Sequence, residues 1–220
     1  TGATQYVGNW PGVTVEKKEG KYKEDKDIKI TDLPGIYSLS PYTLEEVVSR
    51  EFLLNGNVDV VLNIIDGSNL FLTTQILELG IPTVVAINML DVIEKRKDTI
   101  DYKKLSKELG CPVLPISALK NTGIKELMAE VKKVANTQCK AKNIYAGKVL
   151  NALNTIETSL PSSIEASRRF FYAVKLFERD DKIVEQLNTV PDVSNEIKAL
   201  EDAFDDDTES IITNERYVYI

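Results

Sequence analysis

The chain has 220 residues, 43% of them hydrophobic, enough for one large or two modest domains, and no apolar run approaches the ~18 residues that a membrane span needs. Its 27 basic residues stand against 34 acidic ones, and the net charge of −7 argues against an extended basic face for nucleic acid. Histidine is absent, which excludes histidine triads and histidine-ligated zinc, and the two cysteines, Cys111 and Cys139, have no metal-ligand spacing.

The first residues carry no signal-peptide pattern, so a soluble, cytosolic chain with free thiols is expected. Val15 to Lys23 and Ile28 to Asp32 alternate about the polar turn Glu24-Asp25-Lys26-Asp27, which predicts a β-hairpin. Val58 to Asp66 (VDVVLNIID), Thr83 to Asn88 (TVVAIN) and Val113 to Ile116 are short apolar runs rich in β-branched residues. Such runs suit strands buried on both faces of a parallel sheet. Helical patterns separate them over Leu70 to Leu79, Tyr102 to Leu109 and Ile124 to Val134, with Gly80 and Gly110 placed to stop two of the helices. This alternation predicts an α/β fold with right-handed crossovers.

Beyond about Gln138 the pattern changes. Amphipathic stretches run around Val149 to Leu160, Ser167 to Phe177, Lys182 to Leu187 and Ser194 to Phe204, punctuated by Pro161 and Pro191. Asp205-Asp206-Asp207 then predicts a turn before a last helix. The expected organisation is an α/β domain over residues 1–138 and a small all-helical domain over 139–220.

Three loops follow predicted strands. In Asp32-Leu33-Pro34-Gly35 a carboxylate at a strand end can hold Mg²⁺ through water, and the glycine lets a backbone N–H approach a phosphate. In Asn88-Met89-Leu90-Asp91 the aspartate can accept two N–H bonds from the Watson–Crick edge of guanine, a donor pair that adenine lacks. In Ser117-Ala118-Leu119 small residues leave room for a base and offer it a backbone N–H. Alone, the first reads as a turn, the second as a helix cap and the third as nothing specific. Together, in this order and at the C-terminal edge of one sheet, they predict a guanine-nucleotide site and a P-loop GTPase-type, mostly parallel sheet flanked by helices.

The string VGNWPGVTVE, from Val7 to Glu16, is similar to the first switch of the bacterial ferrous iron transporter B (FeoB) family. DLPGIYSLSPYTLEE, from Asp32 to Glu46, resembles that family's second switch. ELGIPTVVAINMLD matches as well, with Met89 where most GTPases carry lysine. RRFFYAVKLFERD and ESIITNERYVYI extend the resemblance through the helical part, over essentially the whole chain.

The resemblance implies GTP or GDP, Mg²⁺ and K⁺ as cofactors and slow, potassium-stimulated GTP hydrolysis. It implies that Thr14 ligates Mg²⁺ and contacts the γ-phosphate with its N–H, that Asp32 serves Mg²⁺ in its second shell, and that Gly35 supplies a γ-phosphate amide. Gly12 and Val13 would flank the phosphates, and the carbonyls of Gly8 and Trp10 would help to hold K⁺; Trp10 reads equally as an apolar anchor for its loop. Asn88 and Asp91 would read guanine, with Ser117, Ala118 and Leu119 closing the base pocket. Where many GTPases have a glutamine after DxxG, this chain has Ile36, which neither donates nor accepts. Glu45 and Glu46 read as a solvated helix start rather than as catalytic groups.

The partners implied are guanine nucleotide, the membrane pore domain of the same transporter, small accessory Feo proteins and further copies of the chain, with no nucleic acid. The implied place is the cytoplasmic face of the inner membrane. In the family the helical part strengthens GDP binding, and its helices are expected to move with the second switch.

The sequence also departs from the family. The phosphate loop GxxxxGK[ST] is not among these residues, and Thr1-Gly2 resembles the end of the helix that follows it. The Asp66 to Leu72 stretch is about five residues shorter than the family's. The expectation is that the sequence is an incomplete record of the folded protein, a true deletion being physically awkward because it would bare apolar strand edges. Two other readings stay open: a nucleotide switch of the ribosome-assembly type, and a pure interaction module. Nothing in the sequence supplies Fe²⁺ ligands.

Overall fold

A computed structural model of the protein describes residues 5–40, 43–66, 70–96, 99–135, 137 and 139–220. It divides into two compact units, Thr1–Asn57 and Val58–Ile220. Thr1 and Gly2 lie outside the described residues, as do Gly67, Ser68 and Asn69 of the shortened stretch.

The first unit is an antiparallel meander of β1 (Gln5–Asn9), β2 (Glu16–Lys21) and β3 (Lys29–Asp32), followed by helix α1 (Leu44–Asn55). The expected hairpin is β2–β3, with Lys18 opposite Asp32 and Lys21 opposite Lys29. Its turn is closed by Tyr22 N–H on the Ile28 carbonyl at 2.9 Å and braced by Asp27 N–H on Asp25 Oδ1 at 3.0 Å. Strand β1 goes beyond the sequence expectation. It pairs with β2 although Tyr6 and Val7 are both exposed, so no buried face ever gave it an apolar alternation. Charged pairs lace this polar ladder: Glu19 takes Lys17 and Lys29, each at 2.9 Å, and a hydroxyl bond from Thr31 at 3.1 Å.

A capping box starts α1. Thr43 Oγ1 accepts Glu46 N–H at 3.2 Å, and Glu46 Oε2 accepts Thr43 N–H at 3.1 Å. Glu46 is therefore buried rather than solvated, while Glu45 remains exposed, so the solvated helix start holds for only one of the pair.

The second unit centres on three parallel strands, β4 (Val61–Ile65), β5 (Thr83–Ile87) and β6 (Val113–Pro115), in that spatial order. Helices α2 (Phe71–Glu78), α3 (Leu90–Arg96), α4 (Tyr102–Leu109) and α5 (Ile124–Val134) alternate with them. The middle strand β5 is buried along its whole length, and successive residues serve opposite faces. Val85 and Ile87 pack with Leu77, Leu109 and Val113, whereas Val84 and Ala86 pack with Ile116, Leu127 and Val134. Among the described strands, β3 and β4 are each the end strand of their own sheet.

The rest of the unit is helical: α6 (Gly147–Ser159), a 3₁₀ turn at Ala166–Arg168, α7 (Arg169–Phe177), α8 (Asp181–Gln186), α9 (Ser194–Phe204) and α10 (Thr208–Tyr219). These elements follow the predicted amphipathic stretches closely. Gly80, at φ 68°, ends α2 where a Cβ would lie 2.2 Å from the Ser167 carbonyl oxygen, so only glycine lets the sheet-bearing part meet the helical part here. Deeper in the same contact, Glu78 of α2 and Arg216 of α10 are both fully buried and paired. Among the described residues no helix is long and apolar enough to cross a membrane.

Candidate nucleotide site

The NxxD and SAL loops come together in the second unit. Asn88 leaves β5 with its N–H still bonded to the Ile65 carbonyl at 2.7 Å. Met89 then adopts a left-handed conformation, φ 65°, and turns the chain so that Leu90 N–H reaches the Ile116 carbonyl at 3.1 Å. That turn puts Asp91 in the first turn of α3, facing the loop after β6.

Side chains cross-link the two loops. Ser117 Oγ donates to Asp91 Oδ1 at 2.8 Å, and Asn88 Oδ1 accepts Ala118 N–H at 3.0 Å. Lys120 N–H donates to the same Ser117 Oγ at 3.3 Å, while Ser117 and Thr122 exchange backbone bonds of 3.1 and 3.0 Å that close the loop. Leu119 stands exposed at the loop tip, and Met89 is half exposed. The Ser117 hydroxyl, first among several causes, holds the Asp91 carboxyl below its ordinary range, so it is ionised at neutral pH. An ionised, oriented carboxylate of this kind is a double acceptor that suits an N–H pair on one base edge. The Ala118 N–H expected to serve the base oxygen is spent on Asn88 in this conformation.

The other residues predicted for the site lie in the first unit. Gly12, Val13 and Thr14 form the turn between β1 and β2, with Gly12 at φ 78°. The turn is pinned by Trp10, whose N–H donates to the Val15 carbonyl at 2.9 Å and whose carbonyl accepts Val13 N–H at 3.3 Å. Trp10 itself is buried against Phe52, so the anchor reading of this residue describes its side chain. Thr14 is exposed. Asp32 ends β3 and is exposed, and Gly35 is exposed with open space where a side chain would stand. Ile36 is half buried.

The Thr14 hydroxyl and the Asp32 carboxylate are hard oxygen donors of the kind Mg²⁺ takes, and their exposure fits that role. The carbonyls proposed for K⁺ fit less well in this conformation. Trp10 and Val15 are a hydrogen-bonded pair of the β1–β2 ladder, so by alternation Gly8 and Lys17, opposite each other, are another. The Gly8 carbonyl is thereby committed to Lys17, and the Trp10 carbonyl to Val13.

Sequence reasoning missed the bracing groups. Ser49 of α1 is fully buried, and its hydroxyl reaches the Pro34 carbonyl at 3.4 Å, inside the DLPG loop. The Thr43-to-Glu46 spacing was a readable sign of the cap that starts this helix; nothing in the sequence marked Ser49 or Phe52.

Comparison with known proteins bears on the assignment. The family model for ferrous iron transport protein B matches residues 1–131, and the model for the FeoB cytosolic helical domain matches residues 145–220. The Fe(2+) transporter FeoB of Shigella flexneri is 39% identical over 189 residues, covering 82% of this chain and 24% of that protein. The Salmonella typhimurium protein of the same name is 38% identical over 190 residues, with the same coverage. The chain thus spans about a quarter of the length of these curated relatives.

Among solved structures, a glutamate-to-alanine mutant of S. thermophilus NFeoB bound to GDP superposes with a TM-score of 0.95 at 41% identity, covering 100% of this chain and 88% of that one. NFeoB from S. thermophilus bound to GDP.AlF4⁻ and K⁺ gives a TM-score of 0.89 at 41% identity, covering 100% and 89%. With both domain models matched along its length, the chain belongs to the ferrous iron transport protein B family, whose N-terminal G domain and cytosolic helical domain it comprises.

Proposed function

We propose that this chain binds guanine nucleotide and hydrolyses GTP, as the cytosolic G domain (residues 1–138) and helical domain (139–220) of an Fe²⁺ membrane transporter whose iron uptake it regulates. The observation that carries the reading is the cross-linked pair of loops in which Ser117 orients Asp91 and Asn88 holds Ala118. A carboxylate fixed on one oxygen by a hydroxyl presents its remaining lone pairs in one direction, which favours guanine over adenine.

Asp91 and Asn88 then read the base, while Ser117, Ala118 and Leu119 wall its pocket. The Gly35 N–H and the Thr14 N–H approach the γ-phosphate, Gly12 and Val13 flank the phosphates, and the Thr14 hydroxyl and Asp32 would hold Mg²⁺, which would supply positive charge against the phosphates. Ile36 offers the attacking water neither donor nor acceptor, so backbone groups or Thr14 orient it and turnover is slow. The rate rises with K⁺, for which Gly8 and Trp10 supply carbonyls once the β1–β2 pairing opens around Gly8.

The partners of this function are the membrane pore domain of the same transporter at the cytoplasmic face of the inner membrane, small accessory Feo proteins, and further copies of the chain. Support comes from the family membership and from the nucleotides held by the S. thermophilus structures. Calorimetric titration with GDP and with ADP, in Mg²⁺ and K⁺ buffer, tests the reading. Micromolar GDP binding without ADP binding is the expected result; binding of neither nucleotide would leave an interaction module as the better description.

A further inference from the structure

Trp10 touches two parts of the first unit at once. Its backbone closes the turn that carries Thr14, through Val15 at 2.9 Å and Val13 at 3.3 Å. Its indole, 6% exposed, meets the Phe52 ring edge-on, with centroids 5.1 Å apart and planes at 68°. The Lys17 ammonium lies over the indole, 4.8 Å from its centroid.

Phe52 belongs to α1, and one helical turn earlier Ser49 reaches Pro34 in the Asp32–Gly35 loop. Residues three apart on a helix share a face. The same face of α1 therefore holds the Thr14 turn through Phe52 and the Gly35 loop through Ser49.

The indole N–H of Trp10 is buried and has no hydrogen-bond partner among the described residues. No polar tether fixes the ring, so its orientation is set by the edge-to-face contact with Phe52 and by the cation above it. An edge-to-face pair has a directional preference that an aliphatic side chain of similar volume lacks.

We infer that Phe52 is a positioning residue for GTP hydrolysis, coupling the Thr14 turn to the Asp32–Gly35 loop through α1 so that both γ-phosphate contacts are set together. The inference rests on the GTPase reading above. Guanine is read by Asn88 and Asp91, which take no part in this contact, so loss of the coupling lowers kcat far more than GDP affinity.

The protein has a single tryptophan, so its emission reports Trp10 directly. The test compares wild type with Phe52→Ala, Phe52→Leu and Phe52→Tyr by tryptophan emission without nucleotide, GDP affinity and GTP turnover. In the alanine and leucine variants emission shifts to the red and kcat falls by about 10- to 100-fold, with the GDP Kd changed less than about twofold. Tyrosine keeps the ring edge and restores both signals. Phe52→Leu keeps most of the volume and carries the test if Phe52→Ala does not fold. Normal kcat in Phe52→Leu despite a shifted emission overturns the inference alone, as does a parallel loss of GDP binding, the mark of general damage. A wild-type protein that binds no guanine nucleotide overturns the GTPase reading itself, and this inference with it.

Discussion

Arg216 and Glu78 form a bidentate ion pair in the interior, Nη1 to Oε1 at 2.7 Å and Nη2 to Oε2 at 3.0 Å, across 138 residues of sequence. The Tyr145 hydroxyl donates to the same Oε1 at 2.7 Å, and the Phe71 and Tyr145 rings lie 5.8 and 5.7 Å from the guanidinium carbon. Burial pushes the Glu78 carboxyl up, and the guanidinium and the Tyr145 hydroxyl oppose that shift. The planar fork of arginine matches a carboxylate edge in a way that lysine cannot.

Removing one partner strands the other charge. Arg216→Ala should destabilise the second unit by about 3–5 kcal/mol, whereas Glu78→Leu combined with Arg216→Met should recover most of that loss. Urea denaturation of wild type and the two variants checks both statements; equal stability of the single and double variants would refute the account.

The same contact joins α2 to the helical part, and the helices of that part are proposed to move with the second switch. Amide exchange across residues 139–220 should then change between GDP and a GTP analogue, most of all in α10. Exchange that ignores the nucleotide would rule the coupling out.

At the NxxD and SAL loops, Ser117→Ala frees Asp91 from its orienting hydroxyl. GDP affinity should fall by about tenfold, the weight of one hydrogen bond to a charged group, and the Asp91 carboxyl should rise toward its ordinary range. Asp91→Asn replaces an acceptor by a donor at one position. It should weaken GDP by about 100-fold or more and favour xanthosine diphosphate, whose second carbonyl accepts where guanine donates. Calorimetry with both nucleotides measures each effect.

The hairpin should be acid-sensitive through Glu19. Lys17, together with Lys29 and Thr31, lowers its carboxyl to about 2 from an ordinary 4.5. A depressed carboxyl contributes stability that is fully present above pH 4.5 and is lost as pH falls toward 2. Glu19→Gln should lower the neutral part of the melting-temperature profile and flatten its acid limb, so that the variant and wild type converge as pH falls toward 2.

Exchanging K⁺ for Na⁺ should lower the GTPase rate, since a larger cation with a looser hydration shell is the one proposed to meet the carbonyls of Gly8 and Trp10. Turnover assays at equal ionic strength compare the two salts, and equal rates would sink the proposal.

Much of this was legible before any coordinates. The short apolar runs that became β4, β5 and β6 announce themselves, although only β5 is buried on both faces along its length and Ile64 of β4 is exposed. Strand β1 did not, because Tyr6 and Val7 face solvent and its pairing depends on the ladder with β2. Residue types and spacing singled out the NxxD and SAL loops, which the structure brings together, but not their internal bonding. That Ser117 clamps Asp91, and that Asn88 takes the Ala118 amide, follows from where β5 and β6 end in space. The helix expected over Leu70 to Leu79 is there as α2, but the burial of its polar residues Thr73, Thr74, Gln75 and Glu78 comes from contacts that include α10. Pairings between residues so distant in sequence leave no local trace.

The Glu78–Arg216 pair also has a consequence for synthesis. A ribosome releases Glu78 long before the 12 residues of α10. Until those arrive the nascent chain holds an acid in α2 without its base, and that end of the helix must stay wet. The parallel strands can assemble early, but this buried contact closes only when α10 docks, so α10 sets the moment at which the second unit's interior is sealed.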